Sequence, residues 1–474
     1  MKICIIVTSV FYTLVFSSCE KPDLSVPNSQ ETIKYDIRKI YQNSLEAHNY
    51  IIVGDTLLNN QVTKLPALPE GEVSLTSLKN NLDPDLADKL LHFVTIGGSL
   101  TAGVRDGGYF NDGILTSYPN LIARQMKLKE FRQPLFSKDE YNGYGLKLPS
   151  SFNPTEGPVL KYAAVKNNLA IASEASKEVV LSAFKVEIDN WGIPRITRQG
   201  LIGKGRYVEI KPNFEPFINR LNALSQLNEL TGFKELHPLI KIKNTKIDFY
   251  ILETGFDDIL EYALSGGESR IFNSWNGDSS NRPWEDTGYD SAPLQITRAM
   301  YKKGVKGCIA TIPDVLDLPY FQFPDISWKK EYKDTFRPIN FIYDLLIPTS
   351  TVDSLLSKKV NNLVRGLHPR NELIEKERLD IKSMTNDYNK EYYALAKKFN
   401  LAVVDLNALY KKIIAGQYSE QGVLIDPSFL KGTFFSSDGI TPTALGQAVI
   451  ANEFIRTINS FYKTAIPFIS IREL

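Results

Sequence analysis

The sequence predicts an α/β protein, a three-layer α/β/α sandwich on a mainly parallel sheet with insertions. Three observations carry that class. Ile247 to Leu252 (IDFYIL), Gly307 to Ile312 (GCIATI) and Leu401 to Leu406 (LAVVDL) are near-continuous apolar runs. Runs of that length suit parallel strands buried on both faces. Helical patterns alternate with them, as a doubly wound sheet requires. Finally, the apolar run His92-Phe93-Val94-Thr95-Ile96 halts at Gly97-Gly98 immediately before Ser99. Such a turn puts Ser99 at the carboxyl end of a strand, where open α/β sheets bind ligands. The alternative reading of Ser99 is a helix N-cap, a role serine also favours.

In chain order, Lys2 followed by an apolar core from Ile5 to Phe16 and by Ser17-Ser18 reads as a secretory signal over residues 1–18, too short to span a membrane permanently. Residues 19–90, with Pro66 and Pro69 among polar neighbours and one helix around Glu31 to Tyr41, read as a tether. The main domain occupies 91–474. Its first helix is expected over Tyr118 to Met126, with Pro119 in the first turn. A short second strand is expected within 165–171, a β-rich stretch over 178–210 and a helix near 215–230. Tyr388, Tyr392, Leu395 and Phe399 mark a helix ended by Asn400, and Ala448, Ala451, Ile455, Ile458 and Tyr462 mark the last one. Insertions are expected near 175–212, 265–292 and 315–385.

Composition excludes several functions. The chain has 474 residues and a formal net charge of +1. With no long basic run, it gives nucleic acid no footprint. Loss of residues 1–18 would leave Cys19 and Cys308 as the only cysteines, which rules out a disulfide framework and any cysteine-built zinc or iron–sulfur site. No cofactor motif is present.

Several blocks together resemble the SGNH or GDSL hydrolases, and most closely their exported bacterial lipoproteins. Gly97-Gly98-Ser99-Leu100-Thr101-Ala102-Gly103 is similar to the nucleophile block, followed by Asp106-Gly107-Gly108 and Ser117-Tyr118-Pro119. Asn167-Asn168-Leu169-Ala170-Ile171 resembles the second block and Gly255-Phe256-Asp257-Asp258 the third. Ile312-Pro313-Asp314 resembles a proline-bearing strand end. Ser437-Asp438-Gly439-Ile440-Thr441-Pro442-Thr443 with Gly446 resembles the last block. The likeness covers roughly residues 91 to 465. It implies a flavodoxin-like sheet and ester hydrolysis by a serine, a histidine and an aspartate three residues before that histidine. It also implies an oxyanion site made of the serine amide, a second-block glycine amide and a third-block asparagine. Phe16-Ser17-Ser18-Cys19 resembles a lipobox, which implies lipidation of Cys19 and a lipid membrane as partner, the outer membrane of a bacterium with two membranes. An ordinary signal with a coincidental cysteine is the alternative.

Residue by residue, Ser99 and Asp438 keep the pattern and the other positions depart from it. Thr441 stands at the histidine position, Ser173 at the second-block glycine, Asp257 at the oxyanion asparagine, and Gly98 at the acidic residue before the nucleophile. Threonine has no proton-accepting group near neutral pH. In a serine protease, loss of the histidine lowers turnover about a million-fold. An ionised Asp257 ~4 Å from an oxyanion would oppose it by about 4 kcal/mol at an effective dielectric of 20.

Replacement bases are limited. His48, His92 and His237 lie in the tether or on the wrong side of the sheet, and His368 sits in the long insertion, as an exposed loop residue or folded over the site. Asp257 or Asp438 could serve directly, or gather a cation with Asp258. Trp275 and Trp284, in the polar segment after the third block, could stack on a ligand or anchor their loop. The expectation is a degenerate family member that binds an acyl or acylated-glycan ligand. An ester hydrolase using Ser99 with an unconventional base is the alternative.

Overall fold

A computed structural model describes residues 64–80, 90–106, 108–136, 184, 186–202, 239, 242, 245–267, 291–322, 372–428, 432–436 and 438–474, together with the backbone of the strands at 50–53, 56–59, 141–153, 157–166, 171–172, 225–227, 234–236 and 345–346. Five parallel strands form the central sheet. In chain order the main elements are β1 (Phe93–Gly97), α1 (Ser99–Ala102), α2 (Tyr118–Gln125), β2 (Asn190–Gly192), β3 (Phe249–Leu252), α3 (Phe256–Leu264), α4 (Ala292–Lys302), β4 (Lys306–Ala310), α5 (Glu375–Phe399), β5 (Ala402–Val404), α6 (Leu406–Ile414) and α7 (Ala444–Tyr462). The spatial order β5-β4-β3-β1-β2 is the doubly wound order 2-1-3-4-5, with its switch point between β1 and β3. The site belongs at that switch point.

The apolar runs read from the sequence are β1, β3, β4 and β5, and their side chains are buried because helices cover both faces. Helices α2 and α7 pack together, and Tyr118 stacks on Phe454 with centroids 4.7 Å apart. Helix α5 packs against α3 and α4. Local signals set the helix ends. Pro119 occupies the first turn of α2, and the Thr443 hydroxyl accepts the Gly446 amide at 3.0 Å to start α7. Asn400 ends α5 in the left-handed conformation, φ 54°.

The second strand is not where the sequence pattern places it. Ile171–Ala172 pairs antiparallel with the strand at 56–59, and the strand at 157–166 pairs with 141–153; neither joins the central sheet. The strand beside β1 is Asn190-Trp191-Gly192, in register Thr95 to Asn190 and Gly97 to Gly192. It is only three residues long, but Trp191 is fully buried and its indole N–H reaches the Ile188 carbonyl at 2.8 Å. The helix expected over 215–230 lies mostly outside the described residues, and Ser225–Leu227 within that range is a strand paired with Lys234–Leu236. Helix α5 begins at Glu375, so the insertion after β4 ends about ten residues earlier than expected.

At the amino-terminal edge of the sheet, Asp189 accepts from His92 Nε2 at 3.0 Å and from Arg132 at 2.8 and 2.9 Å. Burial alone would raise the Asp189 carboxyl, but these donors outweigh it and hold the group at about 2. His92 is thus a structural partner at the end of β1 opposite Ser99. Among the described residues, no helix is long and apolar enough to cross a membrane.

Gly192 is where β2 meets α1: a Cβ there would lie 2.4 Å from the Ala102 amide nitrogen. The contact is with backbone and cannot yield by a rotamer change. Gly192→Ala should therefore lower stability by about 1–3 kcal/mol, seen as a lower urea midpoint with an unchanged slope.

Candidate functional site

Gly98 carries the chain from β1 into the single turn α1, which leaves Ser99 buried at the carboxyl edge of the sheet. Two neighbours complete its surroundings. From the segment after β2, the Arg195 amide donates to Ser99 Oγ at 2.9 Å. From the first turn of α3, Asp257 Oδ2 accepts the Ser99 amide at 2.7 Å. The second carboxyl oxygen, Asp257 Oδ1, is buried without a hydrogen-bond partner among the described residues.

This arrangement depends on Gly98. A Cβ at that position would sit 2.1 Å from Asp257 Oδ2. The two departures noticed in the sequence, a glycine at 98 and a carboxylate at 257, are therefore spatially coupled. Absence of a side chain at one makes room for the carboxyl of the other.

Three acids crowd beneath the turn. Burial pushes the Glu253 carboxyl up to about 7, with Asp257 adding to the shift; Glu253 accepts from the Gly98 amide at 3.1 Å and from Thr101 Oγ1 at 2.9 Å. Burial likewise raises Asp257 to about 6, against the opposing effect of its Ser99 hydrogen bonds and of Arg195. Asp258 is raised to about 7 by burial, although Arg198 opposes this through its charge and its amide, 2.9 Å away. Arg198 is itself fixed: its guanidinium lies 3.9 Å from the Tyr388 ring centroid and pairs with Glu391. Among the described residues, no group of three or more His, Cys, Asp or Glu could hold a metal ion. The cation arrangement of Asp257, Asp258 and Asp438 considered from sequence is therefore not formed.

Arg195 was missed in the sequence. It sits at φ 63°, a left-handed backbone that suits glycine far better than arginine, and its guanidinium pairs with Glu261. Its amide lies beside the nucleophile, and Ser173, the residue expected from sequence at the second oxyanion position, lies outside the described residues. A usable signal did exist. Trp191-Gly192 ends a short strand in a glycine, as Ile96-Gly97 does, and Pro194 then stops any helix from starting at once.

The last block forms a closed local network. Thr441 Oγ1 donates to Asp438 Oδ2 at 2.5 Å, and the Thr441 and Ile440 amides both donate to Asp438 Oδ1, at 2.7 and 2.8 Å. Ser436 Oγ lies 3.1 Å from Thr441 Oγ1 and accepts the Asp106 amide at 3.0 Å. Gln447 on α7 ties this region to the nucleophile turn, accepting from the Tyr118 amide at 2.9 Å and donating to the Leu100 carbonyl at 3.3 Å. Asp438 and Thr441 are thus paired, and the Thr441 hydroxyl proton is spent on Asp438. Cys19, His48, Trp275, Trp284, His237 and His368 all lie outside the described residues.

A doubly wound sheet with a buried serine at its switch point, and a short acid-bearing block leading into the last helix, defines a serine-hydrolase architecture. The chain belongs to the GDSL-like lipase/acylhydrolase family, whose model matches residues 93–454. No curated protein and no solved structure matches the chain at a significant level.

The buried acids make stability pH-dependent. Glu253, Asp257 and Asp258 keep their protons to higher pH in the native state than in the unfolded chain. Between about pH 4 and 7 the native state therefore binds more protons, and stability falls as pH rises. His92, raised mainly by its hydrogen bond to Asp189, acts in the same direction. The urea midpoint should be higher at pH 5 than at pH 7.5, and Asp257→Asn should narrow that difference.

Proposed function

We propose that this chain is an exported, membrane-anchored member of its family that binds an acyl or acylated-glycan ligand at the Ser99 site and does not hydrolyse it at neutral pH. The observation that carries this reading is the Asp257 carboxyl on the Ser99 amide. In acyl transfer that amide must receive the developing oxyanion. A carboxylate already placed there both occupies the donor and repels the charge. The second requirement, a base for the Ser99 proton, has no support from Thr441, whose hydroxyl is committed to Asp438. The Ser99 oxygen meanwhile accepts from the Arg195 amide, which spends the other backbone donor at the site. Anchoring through a lipidated Cys19 rests on Lys2, the apolar core Ile5 to Phe16 and Ser17-Ser18-Cys19. Trp275 and Trp284 remain the candidates for covering the ligand.

One observation favours a second reading, ester hydrolysis with Asp257 as base. The carboxyl is held against Ser99 by the amide hydrogen bond, and its value of about 6 leaves it mostly ionised at neutral pH. The two readings differ in sign. A base gives turnover that rises with pH through about 6 and disappears in Asp257→Asn.

The test is hydrolysis of short-chain chromogenic esters by the wild type and Ser99→Ala at pH 7.5. Equal rates are expected, and turnover lost in Ser99→Ala would overturn the non-hydrolytic reading. The double variant Thr441→His, Asp257→Asn should gain at least about 100-fold over Ser99→Ala, since it restores both a base and an amide donor.

A further inference from the structure

We infer that the amino-terminal edge of the central sheet, opposite Ser99, is a docking face for the surface of an anionic phospholipid bilayer. The inference rests on the membrane-anchored reading above and deepens it, because it fixes which end of the domain meets the lipid. The Ser99 end of the sheet then points away from the bilayer.

Large apolar side chains are exposed along this edge. Leu90 leads into β1, Val186 into β2, and Tyr301, in the last turn of α4, into β4; they are 59, 57 and 56 % exposed. Phe461, 43 % exposed, closes α7 beside them, since the hydroxyl of its neighbour Tyr462 donates to the Gly307 carbonyl at the start of β4 at 2.7 Å. Neighbouring strands lie about 5 Å apart, so the starts of the five strands span only about 20 Å. Ring contacts back the exposed residues onto the core. Tyr301 lies 5.3 Å from Phe399, and Phe461 4.9 Å from Tyr462, which in turn lies 5.5 Å from Phe249. The face is therefore preformed.

The same edge is basic. Lys302 ends α4, Lys397 and Lys398 lie in the last turn of α5, Lys463 follows α7 and Lys129 follows α2, all of them exposed. Glu72, Glu130 and Glu187 offset them only in part. Lysines at helix ends also suit the helix dipole. The dipole does not explain why large apolar side chains stand beside them in water. At the opposite end of α5, the exposed Ile374 and Leu379 lie among charges of both signs, Glu375, Lys376 and Asp380. Apolar rings interleaved with lysines match a lipid surface: the rings enter the headgroup layer and the ammonium groups meet phosphates. The chain that would connect a lipidated Cys19 to the sheet runs along this face. Its Gly71 carbonyl accepts from Lys127 Nζ at 2.7 Å and its Ser77 carbonyl from Lys306 Nζ at 2.7 Å, before β1 begins at Phe93. A tether keeps the face close to the bilayer, so weak individual contacts suffice.

The test is flotation of the full chain carrying Cys19→Ala, which has no lipid of its own, with vesicles of phosphatidylcholine alone or mixed with phosphatidylglycerol. Binding should require phosphatidylglycerol and weaken as salt rises from about 50 to about 500 mM. A lysine at an anionic surface contributes about fivefold to affinity, so Lys302→Gln, Lys397→Gln and Lys398→Gln together should weaken binding about 100-fold. Tyr301→Ser with Phe461→Ser should weaken it at least about 10-fold. Lys376→Gln, at the far end of α5, should bind within about twofold of its parent. All variants share residues 1–18, so any binding through that segment cancels. No binding to the anionic vesicles, equal binding to both kinds, or a loss in Lys376→Gln as large as that of an edge lysine would overturn the docking face. Self-association lost in the edge variants, without vesicle binding, would give the face to a second copy and overturn it too. A membrane-derived wild-type chain whose Cys19 carries no lipid by mass spectrometry, with vesicle binding by Cys19→Ala intact, would remove the anchored reading and leave the docking face standing. A lipidated Cys19 with no effect of the edge variants would do the reverse.

Discussion

The hydrogen bond from the Ser99 amide to Asp257 is the contact on which the chemistry of this protein turns. It is short, buried and charge-assisted when Asp257 is ionised. The fold brings its two ends together independently. β1 ends in Gly97-Gly98 and delivers the amide, while β3 ends at Leu252 and delivers Asp257 through the left-handed Gly255. Because β1 and β3 are neighbours at the switch point, the two turns face each other there. A hydrolase of this architecture needs that amide free for an oxyanion. Here it holds a carboxyl group instead.

The rest of the site is consistent with that single change. Gly98 supplies the space that Asp257 fills, so the two positions behave as one substitution. Arg195 keeps the second amide in place at the expense of a strained backbone. Asp438 and Thr441 form a tight hydrogen-bonded pair that ties together their own loop. The buried serine at the switch point is kept, and on the reading proposed above the proton-transfer chemistry around it is not. Buried acids at 253, 257 and 258 remain, held neutral or ionised by small differences in burial and in nearby arginines.

Most of the sheet was legible in the sequence because four of its five strands are buried apolar runs, and burial on two faces leaves a strong pattern. β2 was not legible. It has three residues, Asn190, Trp191 and Gly192, only one of them large and apolar, and periodicity needs more length than that. A block-like run at Asn167 to Ile171 drew the strand assignment away from it. Arg195 was hidden for a further reason. The backbone there has the geometry of a glycine position, but the residue is arginine, and conformation at one position leaves no trace in composition. Ser99, Asp257, Asp438 and Thr441 were legible as positions. What the sequence lacked was the contact between Gly98 and Asp257, since the meaning of each depends on the other being within van der Waals reach.

The most direct test is the Ser99 amide proton itself, followed by NMR against pH in protein labelled at serine nitrogen and assigned with Ser99→Ala. A proton donated to a carboxylate at this distance resonates far downfield. The account predicts such a signal at pH 8 and its upfield movement with a midpoint near pH 6, as Asp257 takes up its proton. An unshifted amide that does not titrate between pH 5 and 8 would contradict it, because the Ser99 donor would then be free for a substrate oxyanion.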